Sequence, residues 1–380
     1  MIRRPPRSTP SNSSAASDVY KRQILRLATS EITGDGIPDV ATYGDNGILS
    51  LISGQTGLLL WNKFIGFRII NDMGIVDLNG DGKAHELIMV GGYPTISWVG
   101  FITVYNLSSN SIIWSKKIFF AAPLTKFGVA DFNKDGQLDV IVSSYEQSIR
   151  IFSGNDGSMV NTINVKVQEF VIGNFSGSNN YEIVVLQRNG SIFRYSSTNN
   201  WLTYTEELLY YCEPNFRLSH LAVGKFNDDL YDDIVVRAFG EYTVAIDGNK
   251  GLEIWKFIDP SIFYLEKFLI ADINNDSEDD VISLNHDIVF AISYKYYNKE
   301  QQPLVSWASF VANSTITSIK LGNFNNDDII DVVIGTAGGG IFFIYGQSED
   351  EHVQTEGINP KMSTITSYIE EKDNIVTFDS

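Results

Sequence analysis

Short apolar, β-branched runs recur along the chain, each opening on an acid: DVATY from position 39, ELIMV from 86, DVIVS from 139, EIVVL from 182, DIVVR from 233, DVISL from 280 and DVVIG from 331. Each follows a second run of the same character, such as FGVADF at 127–132 or FLIADI at 268–273. Runs of this length bounded by Gly and Asn read as strands, and the polar stretch between them as a hairpin connection. A second turn recurs downstream, in ISGQTGLLLW, FSGNDGSMV and IDGNKGLEIW, and joins a third strand to a fourth.

The polar connection is itself a repeat. Its copies read Glu31-x-Thr33-x-Asp35-Gly36-x-x-Asp39, then Asp77-x-Asn79-x-Asp81-Gly82 with Glu86 one residue late, then Asp131-x-Asn133-x-Asp135-Gly136-x-x-Asp139. The fourth is degenerate, Asn174-x-Ser176-x-Ser178-Asn179-x-x-Glu182. Lys225-x-Asn227-x-Asp229-Leu230-x-x-Asp233, Asp272-x-Asn274-x-Asp276-Ser277-x-x-Asp280 and Asn323-x-Asn325-x-Asp327-Asp328-x-x-Asp331 complete the set. Successive copies start 46, 54, 43, 51, 47 and 51 residues apart. Trp61, Trp114, Trp201, Trp255 and Trp307 fall on or beside the fourth strand of their units, where one aromatic per repeat would pack between neighbours.

Four short strands per unit predict an all-β fold, a seven-bladed β-propeller of four-stranded blades over residues 24–346. A solenoid is the competing repeat architecture, but no helical period runs over twelve or more residues here. The seventh unit ends on its third strand, GIFFIYG, and an acidic, polar tail occupies 347–380. Its closing strand is expected either upstream of the present start or from residues 362–370. Residues 1–23 are basic and rich in Ser. They resemble a translated sequencing adapter and are expected to be a non-native, disordered leader; a transit peptide is the other reading. On the first reading, the authentic N-terminus is missing.

Composition sharpens this picture at three points. Hydrophobic residues make up 43% and aromatics 12% of the 380 residues, enough for a large core, which argues against disorder. The net charge is −18 and no basic stripe crosses the main body, which argues against nucleic acid as a partner. Cys212 is the single cysteine, so there is no internal disulfide framework, and it reads as a small buried hydrophobe. No apolar stretch is long enough to span a membrane as a helix.

The acids fall in a pattern that points to a cation. Oxygen side chains at positions 1, 3 and 5 of a tight turn converge, Gly at 6 permits the reversal, position 7 offers its carbonyl and position 9 closes the shell. An oxygen-only, flexible set suits Ca²⁺ better than Mg²⁺. An EF-hand shares the opening but needs Glu at position 12, where Ile88 and Val142 stand. The expected ligand sets are Asp131, Asn133, Asp135, Gln137 (carbonyl) and Asp139; Asp272, Asn274, Asp276, Glu278 (carbonyl) and Asp280; and Asp77, Asn79, Asp81 and Glu86. A weaker set comprises Glu31, Thr33, Asp35 and Asp39. Lys225 in the fifth loop and the serines of the fourth argue against metal there, and the seventh has only two carboxylates. The same residue types also build metal-free Asx-turns.

These loops, with Phe127-Gly128 before the third and GGYP after the second, resemble the FG-GAP repeats of integrin α-subunits and of many microbial surface proteins. The turn SGQTGLLLW is instead similar to repeats of quinoprotein-type propellers. The FG-GAP resemblance implies a seven-bladed propeller, calcium on the hairpins, and a ligand or partner on one face.

The leading functional expectation is a non-enzymatic, calcium-binding module that recognises a protein or glycan at the cell surface or in the secretory lumen. Candidate sequons at Asn106, Asn174, Asn189 and Asn313 accompany it. One alternative is an intracellular scaffold whose loops are plain turns. Another is a quinoprotein-like oxidoreductase or polysaccharide lyase, against which stand four histidines, His85, His220, His286 and His352, in no recognisable nucleophile–base arrangement.

Overall fold

The computed structural model describes residues 24–44, 46–66, 69–93, 96–119, 123–144, 148–178, 180–212, 218–238, 242–258, 268–273, 277–285, 288–293, 304–310, 316–322, 330–336 and 341–344. The expectations for 1–23 and 347–380, for Asn274 and Asp276, for the seventh loop before residue 330, and for Asn313, His286 and His352 lie outside the described residues.

The described strands form seven antiparallel sheets, six of four strands and one of three, each pairing consecutive strands in chain order. The first blade runs through Ile24–Ser30, Asp39–Gly44, Ile48–Ile52 and Leu59–Phe64. Its hairpin loop joins strands one and two, and its outer turn joins three and four, as the repeat predicts. In that turn Ser53 N–H donates to Leu58 O and Gly57 N–H to Ser53 O, at 2.9 and 2.8 Å. The same pair of bonds recurs at Ser153/Ser158 and at Asp247/Leu252. The three-stranded sheet is the last, Ile316–Gly322, Asp331–Thr336 and Ile341–Ile344.

Alternation along the second strands explains how blades stack. Ile183 and Val185, on one face of Glu182–Leu186, join a buried cluster with Ile141, Ile151 and Ile163 of the blade before. Val184 and Leu186, on the other face, join Ile234, Val236 and Val244 of the blade after. Successive side chains of a strand point to opposite sides, so a strand buried on both faces must be apolar throughout. Six such clusters, each built from two adjacent blades, link the seven sheets in sequence order. The fourth strands lie outermost and are largely exposed, as in Leu59–Phe64.

First strands of successive blades pack beside one another without sharing a ladder. One register position, four residues before the strand's end, holds Arg26, Asp72, Lys126, Glu169 and His220 in blades one to five. Polar bonds there take the place of the missing ladder. Lys126 Nζ reaches Glu169 Oε1 at 2.9 Å, and His220 Nδ1 lies 3.0 Å from Glu169 Oε2. Asp72 accepts Phe127 N–H at 3.1 Å and Glu169 accepts Leu221 N–H at 3.1 Å, each from the following blade.

Tryptophans occupy the blade seams. Trp114 is 7% exposed and its Nε1–H donates to Gly154 O, in the next blade's outer turn, at 2.7 Å. Trp61 lies 6.1 Å from the Tyr105 ring of the next blade. Trp201 differs: it lies in the turn before its fourth strand, with φ of +61°, and stacks edge-on against Phe132 of the preceding blade.

Candidate functional site

Several loops between strands one and two share a backbone path whose tightest points are positions 4 and 6; loop five departs from it, with neither Asp228 nor Leu230 left-handed. Position 6 is left-handed at Gly36, Gly82, Gly136 and Ser277, and position 4 at Gly34, Gly80, Lys134 and Gly177. Glycine at position 4 in three of these loops is a sequence signal that the spacing analysis passed over. A non-glycine residue there pays a strain cost, and Lys134 and Ser277 pay it.

Position 9 is buried in every blade. Asp39, Glu86, Asp139, Glu182, Asp233, Asp280 and Asp331 are each no more than 1% exposed. From the strand start Asp39, Glu86, Asp139, Glu182, Asp233 and Asp280 reach back to the loop's own backbone. Asp139 Oδ2 accepts the amides of Phe132 and Asn133 at 3.1 and 3.2 Å. Asp233 accepts Phe226 N–H at 2.9 Å and, from the outer turn, Gly248 N–H at 3.1 Å. Asp39 takes Ile32, Thr33 and Gly54 in the same manner. Glu182 and Asp280 accept the corresponding amides of Ser176 and Ile273. This carboxylate therefore acts as a fold anchor even in loop four, where serines stand at positions 3 and 5, and in loop five, where Lys225 stands at position 1. Glu86, despite the inserted residue, pairs with Val76 as Asp139 pairs with Ala130; the extra length is taken up at Lys83–His85.

The anchors differ in charge environment. Burial pushes Asp139 up to about 6, the amides of Asn133 and Phe132 opposing and the charges of Asp135 and Asp131 adding. Burial raises Glu86 too, with Asp81 and Asp77 contributing. Burial also works to raise Asp39, but the amides of Gly54, Ile32 and Thr33 outweigh it and hold that carboxyl below its ordinary range.

In loop three Asn133, Asp135 and Asp139 of the expected set come together. Asn133 Nδ2 lies 2.9 Å from Asp135 Oδ2 and 3.4 Å from Asp139 Oδ1, so the two carboxylates face one point. Asp131 turns its oxygens to the amides of Asp135 and Gly136 at 3.1 and 3.0 Å, and Asp135 Oδ1 accepts Gln137 N–H at 2.8 Å. Loop two repeats this, with Asn79 Nδ2 3.2 Å from Asp81 Oδ2 and 3.5 Å from Glu86 Oε1. There Asp77 accepts Gly80, Asp81 and Gly82. The residue types and their crowded negative charge fit a hard divalent cation, which would offset the burial, and the repulsion added to it, that raise Asp139 and Glu86. In the arrangement shown, the asparagine amide and backbone donors satisfy these oxygens, and no three acidic, imidazole or thiol side chains among the described residues gather tightly enough to hold a metal by themselves.

The remaining loops are graded. In loop one Glu31 accepts the Gly34 and Asp35 amides, Asp35 accepts Ile37, and Thr33 lies beside Asp39. In loop six Asp272 accepts Ser277 N–H at 2.8 Å, with Glu278 and Asp280 following. In loop five the Lys225 ammonium lies 3.5 Å from Leu230 O and 3.6 Å from Asp232, a built-in cation. In loop four Ser176 donates to Glu182 through both N–H and Oγ.

Other candidates take structural places. Cys212 is 1% exposed, its thiol pushed up to about 11 by burial, as expected of a packed hydrophobe. His220 belongs to the Glu169 ion pair, and His85 Nδ1 lies 2.7 Å from Ser108 Oγ, a contact spacing analysis did not find. Of the sequons, Asn106 gives its amide to buried Glu86 at 2.9 Å, whereas Asn189 is exposed in an Asx-turn to Ser191 N–H at 3.1 Å. A cleft bordered by Lys166, Gln187, Arg188 and Asn189 opens at the fourth blade. No helix of the described residues is long and apolar enough to cross a membrane.

No protein-family model matches the chain, and no curated protein matches it. Solved structures do. BBS1N, in a crystal structure with ARL6DN, is similar with a TM-score of 0.55 at 14% identity, over 84% of this chain and 90% of that one. BamB from Moraxella catarrhalis is similar at 0.50 and 13%, over 86% of this chain and 89% of that one. The computationally designed Ika8 protein is similar at 0.50 and 12%, over 85% and 84%. At these identities the likeness shows a propeller-type, repeat-built all-β fold.

Proposed function

We propose that this protein is a non-enzymatic, seven-bladed β-propeller of the FG-GAP type that binds calcium on its hairpin loops and recognises a protein partner. The observation that carries the calcium half is the convergence of Asp135 and Asp139 on the single Asn133 amide, repeated at Asp81, Glu86 and Asn79. A donor seated between two carboxylates marks a place that a cation fills with more charge. The recognition half rests on the fold and on BBS1N, which is found in complex with ARL6DN. A surface or lumenal setting follows from the weak affinity of such loops, about 10⁻⁴–10⁻³ M in extracellular modules, which fills them only where calcium is abundant.

Melting the full chain in EGTA, in magnesium and in millimolar calcium tests this. A rise in Tm with calcium, absent with magnesium and reduced in Asp135→Ala, is expected; identical melting in all three buffers would exclude it. One observation favours a second reading, the intracellular scaffold with metal-free turns. Both oxygens of Asp77 and of Asp131 already accept backbone amides, so the loops close without an ion. Identical melting is the outcome that reading expects.

A further inference from the structure

The two loops least suited to metal are each held by a reciprocal pair of bonds to the next blade. Asn174, at position 1 of loop four, donates its N–H to Asp232 Oδ2 at 2.7 Å and accepts Asp232 N–H at 3.0 Å. Lys225, at position 1 of loop five, does the same with Asp279, at 2.7 and 2.8 Å. Asp232 and Asp279 belong to the following blade in each case and stand immediately before its buried anchor, Asp233 or Asp280. The approach is close: a Cβ on Gly173, which precedes Asn174, would lie 2.9 Å from Asp232 Oδ2.

From blade one to blade seven the pairing of residue types follows a rule. Where position 1 is an acid, the residue before the next blade's anchor is not: Glu31 is matched by His85, Asp77 by Leu138, Asp131 by Tyr181 and Asp272 by Ile330 in the sequence. Where position 1 is Asn174 or Lys225, that residue is Asp. Two carboxylates directed at one turn would repel each other, so an acid can serve either its own loop or the blade before it. The Lys225 ammonium, 3.6 Å from Asp232 Oδ1, adds attraction on the permitted side.

We propose that Asp232 and Asp279 are inter-blade clasps that replace a bound cation, making the seams between blades four and five and between blades five and six independent of calcium, while loops one, two, three and six remain calcium-responsive. The second half of this statement rests on the calcium reading above; the clasps do not. Hydrogen exchange on the full chain, resolved to single amides in EGTA and in calcium, separates the two. The amides of Asn174 and Lys225 are expected to be slow in both buffers, those of Gly82 and Gly136 to slow further with calcium. Asp232→Ala should speed exchange at Asn174 alone, and Asp279→Ala at Lys225 alone, by about tenfold or more, since each removes a charge-assisted bond. Asp232→Asn and Asp279→Asn keep an acceptor oxygen and should give a smaller rise at the same amide, which serves if an alanine variant does not fold. Rapid exchange at Asn174 and Lys225 in the wild type, or no change in the variants, would overturn the clasps. Protection of those amides only in calcium would overturn them while leaving calcium binding intact. No calcium response anywhere, with the variant effects present, would remove the calcium reading and leave the clasps standing.

Discussion

Position 9 of each hairpin loop combines two roles that the residue pattern does not separate. Its carboxylate completes a metal shell on paper, yet in loops four and five it is buried and bonded to the loop backbone where a shell is out of reach. The oxygen side chains at positions 1, 3 and 5 were legible as a repeated turn, because Asp and Asn at alternate places bond the loop's own amides. The anchor role was not, because burial of an acid depends on which backbone amides surround it, and that is a property of the folded hairpin. Asp139→Ala should therefore leave two amides unpaired and cost about 2–5 kcal/mol in urea unfolding even in EGTA. Asp135→Ala should cost under about 1 kcal/mol there and act only on the calcium response. Burial pushes Asp233 up to about 6, against an ordinary 3.8. A raised carboxyl contributes stability that is full below the unfolded value and is lost as pH rises through the folded one. In EGTA the wild type should gain stability relative to Asp233→Asn as pH falls from 7 towards 4; a constant difference would contradict this.

Each blade was visible as an element because strand runs and loop spacing repeat. The Asp-Asp doublets at 232–233 and 279–280 and the register ring on the first strands were not singled out, since their meaning lies between blades. Glu169 illustrates this. Burial works to raise it, but His220 and Lys126, each from a neighbouring blade, hold it below the ordinary 4.5. Such a carboxylate contributes stability above the unfolded value that is lost as pH falls through the folded one. Glu169→Gln should cost about 1.5–3 kcal/mol at pH 7, a deficit that shrinks as pH falls below about 4.5. Chemical denaturation of both proteins across that range checks it. At the outer seam Trp114→Ala, removing a buried ring and its bond to Gly154, should cost about 3–5 kcal/mol, with Trp114→Phe losing less.

At the scale of the molecule, the all-β, repeat-built propeller fold was readable from the chain, and the six inter-blade cores show why: each second strand is apolar on both faces because it has a blade on each side. Partner identity was not readable, because recognition depends on surfaces that no repeat constrains. Calcium binding by the Asp-x-Asn-x-Asp-Gly loops is tested by calorimetric titration of calcium into the EGTA-treated, dialysed full chain. Saturable binding at about three to four sites near 10⁻⁴–10⁻³ M is expected, with one site lost in Asp135→Ala and none lost in Asp229→Ala. Absence of saturable heat up to about 10 mM calcium, or equal stoichiometry in wild type and Asp135→Ala, would contradict it.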